Sequence, residues 1–140
     1  MIFAFAACRK GNKLSKTPVL TFLSSTEEVE AGSSADTVII GFRLEDGDAD
    51  IRTDGQTANL FISNTRDTNK YEYPLPKIGD EFKDATTGLR ASCVVRIPAA
   101  FLLLRDTSMV KDSLQFKLSI EDEAGNRSNE IITPQIYLLK

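Results

Sequence analysis

The 140-residue chain contains no histidine and no tryptophan, and it has two cysteines, Cys8 and Cys93. Without histidine, Ser-His-Asp and Cys-His triads, histidine-ligated zinc and the most common general base are excluded. Thiolate metal clusters are excluded as well, because Cys93 lies alone in an apolar segment typical of a buried strand. No glycine-rich phosphate loop follows a strand pattern. We therefore predict that the chain is not an enzyme, and we assign no catalytic residue.

Clustered basic charge and long apolar runs are also missing. The formal net charge is -3, and nucleic-acid binding needs a basic face, so we expect no nucleic-acid partner. No stretch approaches the roughly 18 apolar residues of a membrane-spanning helix. With 41% hydrophobic and 26% charged residues, the composition is typical of one globular domain, which we expect to be monomeric.

Apolar and polar residues alternate in several short segments, which is typical of strands with one buried face. Turn-forming residues predict a turn at 30–35 and a loop at 45–55. A proline at a helix-start position and little alternation predict a short helical crossover at 98–105. The strands are predicted at residues 17–24, 36–44, 59–64, 70–73, 89–97, 114–121 and 129–139.

Seven short strands at this spacing predict an all-β fold, an antiparallel β-sandwich. The stretch IEDEAGNRSN, from Ile120 to Asn129, precedes an apolar strand. It resembles the final hairpin of immunoglobulin-like and fibronectin type III-like domains. The resemblance covers residues 17–140 and implies an immunoglobulin-like sandwich. The Cys…Trp…Cys core pattern of antibody domains is absent.

The first residues have a different character from the rest of the chain. The apolar stretch MIFAFAA precedes Cys8, and the basic pair Arg9 and Lys10 follows it. This order resembles the end of a bacterial lipoprotein signal, in which the cysteine is lipidated and becomes the new N-terminus. It implies a signal-peptide remnant at 1–7, truncated at its start, and a lipidated cysteine with a polar tether at 8–16. A first strand or a free tail is the alternative.

The chain as a whole is similar to small envelope lipoproteins of the Bacteroidetes group, which often carry an Asp-Gly-Asp-x-Asp stretch after the second strand. That resemblance implies an outer-membrane lipoprotein that is held to the membrane by its lipid. Acidic residues after the lipidated cysteine are linked to surface export in those proteins. Because Arg9 and Lys10 stand there instead, the resemblance implies a periplasm-facing position.

Three aspartates, Asp46, Asp48 and Asp50, alternate in one predicted loop, where their carboxylates would converge. Such carboxylates repel one another unless a cation screens them, and calcium takes 6–8 oxygen ligands. The loop is not an EF-hand, because Ile51 occupies the position of the required glycine. In an immunoglobulin-like sandwich, Asp122 would emerge at the same end, so we predict a calcium site of these four aspartates. The alternative is a solvated acidic turn whose aspartates cap loop amides.

Tyr71 and Tyr73 lie on the same side of a peripheral predicted strand. They would form an aromatic surface for a glycan or a protein, or they would cover a sheet edge. The apolar run at 101–104 is predicted to fill the core beneath the crossover. Together, these observations predict a non-catalytic, lipid-anchored module that mediates protein or glycan interaction. The alternative is a structural envelope component with a calcium-stabilised acidic loop.

Overall fold

The computed structural model of this chain describes residues 13–67, 70–84 and 86–140, so Cys8 and the predicted signal remnant lie outside them. Within these residues the regular structure consists of strands and two 3₁₀ turns, at Asp80–Phe82 and Ala99–Phe101. The fold is therefore all-β, as predicted. The strands are β1 (Val19–Ser25), β2 (Glu28–Glu30), β3 (Thr37–Asp46), β4 (Ala58–Asn64), β5 (Lys70–Pro74), β6 (Lys83–Asp84), β7 (Gly88–Pro98), β8 (Lys111–Leu114), β9 (Phe116–Ile120), β10 (Ile131–Ile132) and β11 (Ile136–Leu139).

The described strands form three sheets. Two have four strands each, in the orders β1-β3-β7-β6 and β10-β9-β4-β5, and the third has the order β2-β11-β8. The described pairs are antiparallel, except for β2 with β11, which run parallel. A single residue, Gln115, separates β8 from β9. Its side-chain amide donates to the carbonyl of Thr133, which lies between β10 and β11, so the same two chain segments run through the second and third sheets.

All three sheets contribute to one buried core. Alternate residues of β3 point into it: Val38, Ile40, Phe42 and Leu44 are fully buried, as their alternation predicts. The second sheet contributes a matching set of alternating apolar side chains, and the third contributes residues of β8 and β11. The core residues from these two sheets are Leu60, Ile62, Leu114, Phe116, Leu118, Ile120, Ile131, Val29, Ile136 and Leu138.

Four segments differ from the sequence-based expectation. The predicted turn at 30–35 begins later, because Glu28–Glu30 pairs with β11 as a strand. The predicted loop at 45–55 also begins later, since β3 continues to Asp46. The helical crossover is limited to the turn Ala99–Phe101. The apolar run at 101–104 does not fill the core as a unit, because Leu102 is buried whereas its neighbour Phe101 is 79% exposed.

Candidate metal centre and binding groove

The acidic cluster begins within strand β3 rather than in the loop after it. Asp46 is the last residue of β3, pairs with Leu89 of β7 and is 0% exposed. Gly88 lies against the carbonyl of Asp46, with a φ of 85°. Any side chain at position 88 would collide with that carbonyl and would favour a different backbone conformation. A glycine at position 88 therefore allows the start of β7 to lie directly beside the end of β3.

The three aspartates of the loop come together. One carboxylate oxygen from each of Asp46, Asp48 and Asp50 lies within 4.8 Å of the others. The chain is not extended here, because Ala49 has a φ of 56° and turns the backbone between the second and third aspartates. Both side-chain oxygens of Asp46 and Oδ1 of Asp50 are buried without a hydrogen-bond partner. The convergence that the spacing predicts is present, although it arises from a turn rather than from an extended loop.

This arrangement shifts the acidities of the cluster. Burial raises the pKa of Asp46 to about 7 from its ordinary 3.8, and the neighbouring charges of Asp48 and Asp50 add to the shift. Burial also raises the pKa of Asp50, with further contributions from Asp48 and Asp122. A carboxylate of this kind is stabilised either by a proton or by a cation. The residues present therefore fit a hard divalent cation with oxygen ligands.

The charge of Asp122 helps to raise the pKa of Asp50, but the Asp122 carboxylate accepts hydrogen bonds within its own turn. It accepts hydrogen bonds from the backbone N–H of Asn126 at 2.7 Å and from the side-chain amide at 2.8 Å. The group of three converging oxygens does not include it. The two loops do meet through their backbones, because the N–H of Glu123 donates to the carbonyl of Asp50 at 3.2 Å.

The end of the predicted tether also reaches the acidic loop. The backbone N–H of Gly47 donates to the carbonyl of Ser15 at 2.6 Å. The carbonyl oxygens of Leu14 and Ser15 occupy the space that a side chain at position 47 would need. Gly47 stands between Asp46 and Asp48, so the contact with the predicted tether is made within the backbone segment that carries the cluster.

A groove of about 820 Å³ opens between β5 and β7. Tyr71 and Tyr73 line it from β5 and are 44% and 47% exposed. Val94 of β7 lines the opposite wall and is 52% exposed. The core residues Leu60 and Ile62 form part of the lining. Both predicted tyrosines therefore lie at a concave, mainly apolar surface.

The groove runs along an edge of β7 that has no neighbouring strand among the described residues over most of its length. β7 pairs with β3 along its length, whereas β6 reaches only Gly88 and Leu89 on the other side. Among the described residues, no strand lies beside the rest of that edge, at positions 90–98. Unpaired edges present N–H and C=O groups that bind another extended chain. The sequence gives no signal for this feature, because it depends on how short β6 is.

Sequence reasoning also missed a buried ion-pair network around Asp112. The side chain of this aspartate is fully buried, lies 2.8 Å from the guanidinium of Arg66 and accepts a further bidentate contact from Arg105. The hydrogen bonds from Arg105 hold the pKa of Asp112 below its usual range. Counting back from Leu114 by twos places Asp112 on the inward face of its strand, and that signal marks it as buried. Both of its carboxylate oxygens accept hydrogen bonds from arginine side chains, so we assign the network to structure.

Cys93 is a free, buried cysteine, and burial raises the pKa of its thiol to about 11. Such a thiol is a poor nucleophile at neutral pH, as expected for a core residue. None of the residues that the structure describes forms a helix long and apolar enough to cross a bilayer. Searches of protein-family models, curated proteins and solved structures found no match to this chain.

Proposed function

We propose that this chain is a non-catalytic, lipid-anchored module of the bacterial cell envelope that binds a protein or glycan partner in the groove between β5 and β7. The groove is the observation that carries the proposal, because it combines a concave apolar surface with exposed aromatic side chains. The apolar floor and the unpaired edge of β7 favour an extended segment of a protein as the occupant. The two tyrosines are also compatible with a sugar ring.

An immunoglobulin-like sandwich is the finer fold assignment that we propose. The order β1-β3-β7-β6 corresponds to the A-B-E-D sheet of such domains, and β10-β9-β4-β5 corresponds to a G-F-C sheet with one added strand. The parallel pairing of β2 with β11 is compatible with a first strand that leaves one sheet and joins the other. The alternation of buried residues along the central strands agrees with two sheets that share one core.

Binding in the groove is tested with two probes, a display library of random linear peptides and a glycan array. We expect selected binders to lose about tenfold or more in affinity with Tyr71→Ala or Tyr73→Ala, because these side chains line the groove. The third tyrosine of the chain, Tyr137 on β11, lies outside the groove, so Tyr137→Ala is the matched control. Binders that are insensitive to both groove variants would contradict the proposal.

The lipid anchor is tested separately by intact mass spectrometry of the protein from bacterial membranes. We expect a mature chain that begins at an acylated Cys8, as the resemblance of the leader implies. A Cys8→Ser variant should lose the acyl mass and leave the membrane fraction. Recovery of a chain with Met1 intact and no lipid would remove the anchor from the proposal, without affecting the groove.

A second candidate role is structural: the acidic loop would hold a calcium ion that makes the loop end rigid. The specific observation in its favour is the Asp46 carboxylate, which is buried with both oxygens unpartnered. Leaving such a group uncompensated is costly, and a bound cation removes that cost. This role is compatible with binding in the groove.

A further inference from the structure

The acidic cluster is joined to three chain segments at once. Asp46 ends β3, Asp50 accepts a backbone hydrogen bond from the turn at Glu123, and Gly47 donates to Ser15 of the tether. The contact with Ser15 is made by the residue between two of the cluster aspartates. Any movement of this segment therefore changes the contact with the tether.

The dimensions of the cluster fit one calcium ion. Calcium binds oxygen at about 2.3–2.6 Å, so two oxygens on the same ion are at most about 5 Å apart. The oxygens from Asp46, Asp48 and Asp50 lie within 4.8 Å of one another. Asp48 is exposed, which leaves room for water molecules to complete a shell of 6–8 ligands. Magnesium fits less well, because it requires a stricter octahedral shell and gives up its water reluctantly.

We propose that calcium bound by Asp46, Asp48 and Asp50 controls the attachment of the tether to the sandwich. This inference rests on the calcium-binding role proposed above. With the ion bound, the three carboxylates are held together and Gly47 stays in place to hydrogen-bond Ser15. Without it, repulsion among the carboxylates moves the turn, and the tether loses its contact with the domain. Calcium thereby fixes the orientation of the sandwich relative to the membrane anchor.

The test combines calcium binding with proteolysis of the full chain, purified from membranes in detergent. Binding of calcium alone is measured by titration calorimetry after chelator treatment. Attachment of the tether is measured as the rate at which endoproteinase Lys-C cuts after the exposed residues Lys13 and Lys16, with the exposed Lys70 of β5 as an internal control. We expect calcium to slow cutting at the two tether sites about tenfold and to leave the rate at Lys70 unchanged.

Two variants separate the effect of the bound calcium ion from the effect of the hydrogen bond between Gly47 and Ser15. Asp48→Asn removes an exposed ligand and should abolish both calcium binding and protection, whereas Asp106→Asn, outside the cluster, should retain both. Gly47→Ala keeps all three carboxylates but places a methyl group against the carbonyls of Leu14 and Ser15. It should bind calcium within a few-fold of the unchanged protein and be cut rapidly with or without the ion.

The outcomes distinguish the inference from the functions on which it rests. If calcium binds but cutting at Lys13 and Lys16 is unchanged, the control of the tether is overturned and the structural calcium site stands. If no calcium binds at millimolar concentration, both are overturned. Neither result affects binding in the groove, because Tyr71 and Tyr73 belong to a different part of the sandwich.

Discussion

Replacing Asp46 by asparagine should stabilise the protein in the absence of calcium, although it removes a ligand. Asp46 is fully buried, and no hydrogen bond to its carboxylate oxygens compensates for that burial. Burial and the charges of Asp48 and Asp50 raise the pKa of Asp46 to about 7. Above that pH, the folded protein carries a charge that its surroundings disfavour. Asparagine has nearly the same shape and no charge, so the free-energy cost of burying that charge disappears.

The size of the stabilisation by Asp46→Asn and the pH range in which it occurs follow from the shift in the pKa of Asp46. A change from 3.8 to about 7 corresponds to at most about 4 kcal/mol, and screening by water at the exposed Asp48 reduces this to about 2 kcal/mol. Because the folded pKa lies above the unfolded one, the contribution of Asp46 to stability is complete below about pH 4 and is lost as the pH rises through about 7. The advantage of Asp46→Asn is therefore absent near pH 4 and complete near pH 8.

The measurement is urea unfolding in the presence of chelator, from pH 4 to pH 8. Asp106→Asn is the matched control: the N–H and hydroxyl of Ser108 bind the Asp106 carboxylate and lower its pKa, so its removal should not stabilise the protein. Adding calcium should reverse the order, because only the unchanged protein gains from the ion. If Asp46→Asn is the less stable protein at pH 8 with chelator, the account of the cluster is wrong.

Three further predictions concern the core and the buried network. Phe42→Ala should lower the free energy of unfolding by about 3–5 kcal/mol in urea titrations, whereas Phe101→Ala, at a side chain that is 79% exposed, should change it by less than about 0.5 kcal/mol. Asp112→Asn should destabilise the protein at pH 7, and the difference should shrink as the pH falls below about 4, since hydrogen bonds from Arg105 hold the pKa of Asp112 below its usual range. A difference as large at pH 2 as at pH 7 would contradict this cause. In a Cys8→Ser background, Cys93 should react with a thiol reagent at pH 8 only as fast as the protein opens, because its thiol is buried with a pKa of about 11.

The central strands could be predicted from sequence because their signal is local. Val38 to Leu44 alternates without interruption, and each inward residue is buried. In contrast, β2 has only three residues, of which Val29 alone is buried, and its strand conformation depends on a parallel partner more than a hundred positions away. The predicted helical crossover at 98–105 is too long for a similar reason. Pro98 stands at a position typical of a helix start, but it is the last residue of β7 and pairs with Thr37 of β3.

The acidic site was predictable in composition but not in its environment. The spacing of Asp46, Asp48 and Asp50 identified the cluster, yet an aspartate beside glycine is typical of an exposed turn. Asp46 is instead a strand residue that pairs with Leu89 and lies against Gly88, some forty positions along the chain. These non-local contacts make the site chemically distinctive. They also create the unpartnered carboxylate that distinguishes it from an ordinary acidic turn.

The unpaired edge of β7 also raises the question of what prevents this domain from aggregating. An exposed strand edge is a template for pairing with any extended chain, and proteins protect such edges with charge and proline. Here Pro98 ends β7, and Arg90 and Arg96 are exposed along it. On the facing wall, Pro74 ends β5. We expect these residues to limit strand addition to a short interval around Val94 and to hinder open-ended sheet growth. A strand edge protected in this way is compatible with selective binding of a short segment, whereas an unprotected edge would favour aggregation.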